Sequence, residues 1–507
     1  MFAKVNSVGL FGLNAFPVSA EISSVPGAPG IDIVGLADLS VQESKMRIKA
    51  AAANSGIKLP RASLVVNLSP ANVRKSGSSF DLPILVAILG VSGMIRADLS
   101  ESAFIGEVSL SGELCFVTGA LSMAVSAAES GVKELYVPYE NAAEAAIVRG
   151  LTVYGVKDIS ALLGHLNGSA PLSPARPDPL SGGTSSVYPD FADVCGQATV
   201  KGAVETAAAG FHNLLMIGPP GAGKSMIAKR IPGILPKMTF EESLETTEIH
   251  SVAGILNRER PLVTERPFRA VSHTASAVGL IGGGSVPKPG EISLAHHGVL
   301  FLDEFPEFDR RVLETLRQPL ENGEITISRA SGSVTYPCDI MLTAAMNPCP
   351  CGNYGAQGKT CTCTKKQIAA YLGRISRPIL DRIDIQVEVS AVKYEELSAN
   401  RKAEASARIA ERVQRARDIQ SERFRGTPIL SNSRITPDLL HEICVMEKAA
   451  EEYLKNTFEK SGFSARAYDR ILKVARTCAD LDGSERIEKR HIARAVSYRT
   501  LDRKYWE

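Results

Sequence analysis

The stretch LLMIGPPGAGKS at residues 214–225 constrains this chain more tightly than any other. An apolar run, Leu214 to Ile217, passes directly into Gly218, Pro219, Pro220, Gly221, Ala222, Gly223, Lys224 and Ser225, and a helical pattern follows. Strand, glycine-rich turn and helix in that order predict a phosphate-binding loop. The glycines let backbone N–H groups turn toward phosphate oxygens, and the helix N-terminus adds favourable partial charge. Lys224 would reach the β and γ phosphates, and the Ser225 hydroxyl would ligate Mg²⁺. A chain holding such a unit is committed to an α/β region around a parallel sheet.

A second apolar run, Val299 to Leu302, ends in Asp303 and Glu304 about eighty residues further on. A buried strand ending in two acids is weak alone and strong after a phosphate loop. Asp303 would hold Mg²⁺, and Glu304 would orient and polarise an attacking water. A third apolar strand, IMLTAAMNP, ends at Asn347. That amide either senses the γ-phosphate or its water, or caps a turn before Pro348.

Around these strands the chain divides. Residues 166–189 are rich in Pro, Gly and Ser without an apolar period, which reads as a linker. Residues 1–165 before it form one domain, residues 190–392 carry alternating strands and helices, and residues 393–507 read as helical. The stretch 401–426 has a helical apolar period with a basic lean, for which a solvated face is the plainer reading. Of the 507 residues, 44% are hydrophobic and 22% charged, the composition of an ordinary soluble globular protein. A net charge of +2 excludes a strongly basic coat but not a basic channel. The N-terminus lacks a signal peptide's apolar core, and the apolar run at 82–95 is too short to span a bilayer. The expectation is a cytoplasmic protein with reduced thiols and no membrane association.

Four of the nine cysteines lie within the fifteen residues 349–363. Cys349 and Cys351 form one pair, Cys361 and Cys363 another, and the intervening GNYGAQGKT supplies turn residues. Four thiolates converging on one point make a closed, structural Zn²⁺ site. An iron–sulfur cluster or unliganded thiols stay open at this level.

Together GPPGAGKS, LFLDE, AAMNPCPCG, RPILDRIDI and SARAYDRILKVARTCADLDG resemble the AAA+ ATPases of the magnesium-chelatase-like group, and most of all the ComM/YifB family. The resemblance implies an α/β fold: an AAA+ P-loop core with a helical lid, preceded by a Lon-protease-like α+β domain. It implies ATP and Mg²⁺ as cofactors. It makes Arg382 in LDRID an arginine finger that reaches a neighbouring subunit's ATP, although a surface ion pair with Asp381 or Asp384 would explain it equally. Arg466 corresponds to sensor 2 on the helical lid, with Arg470 a second candidate. A finger of this kind implies a ring, a homo-hexamer in this group. The resemblance also implies an insertion at residues 266–298 and a hairpin at 323–337 before Asn347. In ring-shaped relatives such loops grip nucleic acid, which nominates Lys288 and Arg329 as phosphate contacts.

The segments NLSPANVRKSGSSFDLPILVAIL and IGEVSLSGELCFVTGALSMA are similar to the serine-presenting region of Lon-type proteases. Ser79 falls at the nucleophile's position, but the general-base lysine is replaced by Ser122. A serine hydroxyl cannot activate another serine as an amine does, so a domain without peptidase activity is expected. The resemblance thus implies a DNA-binding ring ATPase, a branch-migration helicase or translocase acting on single-stranded or branched DNA in recombination. A magnesium-chelatase-type ATPase subunit or chaperone that remodels a protein partner is the other reading.

Overall fold

Apolar residues fall on both faces of the first strand, β1 (Phe2–Phe11). Val5 packs into one cluster with Ile48 and Leu85, and Val8 into another with Met123 and Leu135. A strand buried on both faces needs helices above and below it. The computed structural model describes residues 2–176, 188–284, 287–329, 332–355, 359–391, 403–461 and 463–506. The linker residues 177–187, the hairpin-tip residues Ala330 and Ser331, the boundary at 392–393 and the start of the 401–426 stretch lie outside the described residues.

The N-terminal unit is built on a seven-stranded sheet. Its other strands are β2 (Asn14–Val25), β3 (Gly30–Val34), β4 (Ser63–Ser69), β5 (Ser102–Phe104), β6 (Glu134–Pro138) and β7 (Thr152–Val156). Their order is β3-β4-β2-β1-β5-β6-β7. The helix Asp81–Val91 is buried almost throughout, which accounts for its unbroken apolar sequence.

The second unit centres on a five-stranded parallel sheet. It comprises β8 (Leu214–Ile217), β9 (Phe268–Val271), β10 (Val299–Leu302), β13 (Met341–Met346) and β14 (Ile385–Glu388), in the order β9-β10-β13-β8-β14. Ile217 pairs with Met346 and Glu388, and Leu302 with Ala344, so the strands terminate at one edge. That register lines up Gly218, Asp303 and Asn347, the residues following three neighbouring strands. The hairpin β11 (Glu324–Arg329) and β12 (Gly332–Pro337) forms as its alternating pattern predicts. The expected insertion at 266–298 begins later than its composition suggests, because Phe268–Val271 is the edge strand of the core sheet. Four residues are too few for a strand period to stand out of a glycine-rich context. In the C-terminal region, helices Ser406–Arg423, Ala465–Leu481 and Lys489–Ser497 share one apolar cluster with helix Ala198–Gly210 and β8, whereas the last helix, Leu501–Trp506, packs into the cluster that contains Val334 and Tyr336. Among the described residues no helix is long and apolar enough to cross a membrane.

Among the described residues, two contact regions join the units. Phe11 and Leu13, at the β1–β2 turn, pack into the cluster that contains Val334 and Tyr336 of β12. On the other side, helix Ala120–Glu129 lies against helix Phe240–Ala253, where Gly119 N–H donates to the Ser251 carbonyl at 3.2 Å. Arg258 pairs with Glu140 at 2.7 Å beside that contact. At Gly12, a Cβ would stand 2.3 Å from Val334. Gly56 shares its left-handed backbone but has nothing within 4 Å of the same position. Gly12→Val is therefore expected to cost about 1–3 kcal/mol more than Gly56→Val. Chemical denaturation of the two variants against the parent measures the difference, and equal losses would mean the docking contact contributes nothing.

Candidate nucleotide site

The turn after β8 carries Lys224 and Ser225 into the short helix Lys224–Ala228. The Lys224 ammonium donates to the carbonyls of Gly218 at 2.7 Å and Pro219 at 3.0 Å, and to Asn347 Oδ1 at 3.1 Å. These acceptors hold the ammonium where phosphate oxygens would replace them. Burial pushes its pKa down, and Asp303 opposes that shift. Ser225 Oγ donates to Asp303 Oδ2 at 2.5 Å. Two oxygen ligands from neighbouring elements thus meet at one point, a donor set that suits Mg²⁺. The groove they line, about 340 Å³ in volume, also takes in Gly221, Glu304 and Asn347.

Glu304 sits at φ +52°, a left-handed conformation that a glutamate adopts only under constraint. Its N–H donates to Asp303 Oδ1 at 2.9 Å, and its carboxylate lies 3.1 Å from His273 Nδ1. His273 follows β9 and is close to Glu304 because Val271 pairs with Leu302. Sequence reasoning missed this histidine, since the strand that delivers it was not recognised.

Arg382 and Arg466 are brought together, but away from the phosphate loop. Both line one cleft with Asp381, Asp384, Arg470 and Lys473. Asn213, the residue before β8, anchors that cleft: its N–H donates to Asp384 at 3.0 Å and its amide to the Arg382 carbonyl at 2.8 Å. The cleft therefore adjoins the N-terminal end of β8, whereas Lys224 follows the C-terminal end, about 13 Å away at 3.3 Å per residue. Arg382 is held by the carbonyls of Pro378 and Arg317 at 2.8 and 3.2 Å and by Glu321. Its ionic partner is thus Glu321 rather than Asp381 or Asp384. Arg466 is 64% exposed and 3.7 Å from Asp381. Arg470 is the less exposed of the pair, half-buried and bonded to Asp384 at 2.5 Å. Burial would raise the Asp384 carboxyl, but Arg470 and His212 outweigh it and hold it below the ordinary range.

The four cysteines converge. Cys349, Cys351, Cys361 and Cys363 each present a sulfur within 4.8 Å of the others. The Cys349–Cys351, Cys351–Cys361 and Cys349–Cys361 sulfurs are 3.4, 3.6 and 3.7 Å apart. A tetrahedron with Zn–S arms of about 2.3 Å has edges near 3.8 Å. These spacings fit a single ion and are too short for thiolates arranged around a four-iron cluster.

Elsewhere, Arg329 and Lys288 come onto one structural unit. Tyr336 of β12 donates to the Pro287 carbonyl at 2.7 Å, which ties the hairpin to the insertion, and both cationic residues are exposed. Glu245, His296 and His297 also cluster within 4.8 Å. There the Asp339 N–H donates to His296 Nδ1 at 2.9 Å, so the other ring nitrogen carries the proton that Glu245 accepts. The two histidines hold the Glu245 carboxyl well below its usual range. This is a hydrogen-bonded clasp on the approach to β10, not a ligand set. In the N-terminal unit, Ser122 is buried with its hydroxyl unpaired, Ser79 is partly buried, and Lys133 pairs with Glu101 at 2.5 Å. Lys75 is fully buried and donates to the Pro70 carbonyl.

Comparison with known proteins identifies relatives along nearly the whole chain. Family profiles described as magnesium chelatase, subunit ChlI, match residues 190–397; the subunit ChlI profile matches 20–141 and its C-terminal profile 403–499. The chain is 40% identical to the YifB protein of Escherichia coli, over 98% of this chain and 97% of that one. It is 41% identical to competence protein ComM of Haemophilus influenzae, over 99% and 98%. It is also 26% identical to the magnesium-chelatase 67 kDa subunit of Chlorobaculum parvum, over 31% of this chain and 23% of that one.

The geometry separates binding from turnover. Lys224→Ala should abolish binding of a fluorescent ATP analogue. Glu304→Gln should bind it normally and release phosphate at least about 100-fold more slowly. Turnover that survives Glu304→Gln would remove Glu304 from its water-activating role.

Proposed function

The chain belongs to the YifB/ComM family of magnesium-chelatase-like AAA+ ATPases, and from that premise we propose that it is a ring-forming ATP-driven motor that acts on DNA. Its work would be branch migration of joint molecules in the cytoplasm, as in recombination of transforming DNA. The observation that carries the ring is the distance between Arg382 and Arg466 and the phosphate loop of their own subunit. Arginines at the opposite edge of the sheet can serve hydrolysis only by entering a neighbour's site.

When bound, Mg²⁺ neutralises charge on the β and γ phosphates. Ser225 and Asp303 would hold it, and Lys224 would exchange its carbonyl acceptors for phosphate oxygens. Glu304 accepts the proton of the attacking water, which Asn347 helps to place. Arg382 and Arg466 of the adjoining subunit face the charge that spreads over the departing phosphoryl group. Hydrolysis moves the insertion and hairpin that present Lys288 and Arg329, and those side chains pull on the DNA backbone. The Lon-like N-terminal domain contributes assembly rather than peptide hydrolysis, because Ser122 stands where a lysine base is needed. The four thiolates hold a structural Zn²⁺. The magnesium-chelatase relative supports a second reading, remodelling of a protein partner.

Two experiments test this reading. ATPase activity should rise with single-stranded or forked DNA at moderate salt. Replacing both Arg329 and Lys288 with Ala should weaken DNA binding and flatten its salt dependence by about two phosphate contacts. No response to either DNA, with stimulation by a protein substrate instead, would favour remodelling. For the ring, Arg382→Ala and Glu304→Gln chains should each be inactive alone. Mixed, they should regain activity, because an intact Arg382 from one then meets an intact Glu304 from the other. Mixtures as inactive as the separate variants would exclude action between subunits.

A further inference from the structure

The cysteine knuckle and the phosphate loop are in direct contact. A Cβ on Gly352 would lie 2.4 Å from Pro220 Cδ, and Gly352 itself sits at φ +78°. Only glycine allows the knuckle to rest on the loop this closely. A second tie runs through the chain. Gly218 N–H donates to the Met346 carbonyl at 3.1 Å, Asn347 accepts from Lys224, and Cys349 is fully buried two residues later. Within the knuckle, Cys351 N–H and Tyr354 N–H donate to the sulfurs of Cys363 and Cys349 at 3.4 and 3.3 Å. Such bonds fix the orientation of the two sulfurs within the knuckle. A third tie lies on the far side, where the Tyr354 ring meets Tyr505 edge-on at 6.2 Å. Tyr505 in turn donates to Glu388 at 3.2 Å, and Glu388 is paired with Ile217 at the mouth of the loop.

We infer that Gly352 is a positioning residue of the nucleotide site, through which metal in the cysteine knuckle holds the phosphate loop in its binding shape. The inference rests on the Zn²⁺ reading above. Four sulfurs fixed by an ion make the knuckle a rigid wall behind Pro219 and Pro220. Without the ion the wall loses its cross-link, and the loop loses its support at Pro220 and near Asn347. Metal and nucleotide are then thermodynamically coupled, and the coupling acts equally in both directions.

The test uses the full-length protein. Zinc is released to a chromogenic chelator with and without a non-hydrolysable ATP analogue, and analogue affinity is measured by fluorescence. In the parent protein the analogue should slow zinc release several-fold. Gly352→Ala should retain one zinc per chain, bind the analogue roughly tenfold more weakly, within the usual range of such couplings, and keep its kcat at saturating ATP nearly intact. Zinc release that is indifferent to the analogue would overturn the inference while leaving the zinc site in place, and so would a zinc-loaded Gly352→Ala with parental affinity. The release measurement needs no variant, so poor folding of Gly352→Ala cannot obscure it. An intact protein containing no metal would overturn the zinc reading itself and this inference with it.

Discussion

The pairing of β8 with strands on both of its sides fixes the chemistry at each end of the sheet. Ile217 is locked to Met346 on one side and Glu388 on the other, so the loop that follows has no lateral freedom at its root. Lys224 then falls beside Asn347, and Ser225 beside Asp303. At the opposite end, Asn213 bonds both Asp384 and the Arg382 carbonyl. One strand of four residues therefore sets the separation between the phosphate loop and the arginine cleft. A single subunit thus carries the phosphate loop and the arginine cleft at opposite ends of one sheet, and the pairing of the strands keeps them apart.

Among the described residues, the N-terminal unit is attached at two places that both bear on the hairpin and the insertion. The β1–β2 turn grips the hairpin through Phe11, Gly12 and Leu13, and helix Ala120–Glu129 holds helix Phe240–Ala253. The second helix is also the one whose Glu245 clasps His296 and His297 at the end of the insertion. Hairpin and insertion are thus braced from one body as well as bonded to each other through Tyr336. Ser79 and Ser122 make neither the Gly119–Ser251 bond nor the Arg258–Glu140 pair that join the units.

The parts of the site that were legible in the sequence are those whose chemistry is local. Gly218 to Ser225, Asp303 and Glu304 announce themselves because strand, turn and ligand are contiguous. The cysteines were legible as a cluster, but their fit to one ion needed the sulfur spacings. Contacts set by register or packing were not legible. His273 reaches Glu304 only because β9 pairs with β10, and β9 is too short to read. Glu321 engages Arg382 across sixty-one residues, and Gly352 meets Pro220 from a different loop. Of the two arginines proposed for sensor 2, spacing alone could not say that Arg470 bonds Asp384 half-buried while Arg466 faces outward, paired only with Asp381 at 3.7 Å.

The way Arg382 is held bears on how a ring would form. Its guanidinium is satisfied in the single subunit by two carbonyls and by Glu321, whose carboxylate is 61% exposed. An ion pair to so exposed a carboxylate contributes about 0–1 kcal/mol. A triphosphate in a neighbouring site offers several charged oxygens in a more enclosed setting, where charge-assisted bonds are stronger. In the proposed ring, exchange of Glu321 for a neighbour's nucleotide would favour the assembled state, and Arg466, paired with Asp381 only at 3.7 Å, would be released at still lower cost. On this reading the nucleotide supplies part of the adhesion between subunits. Hydrolysis would loosen the same interface, and that alternation lets a ring convert turnover into movement of its loops.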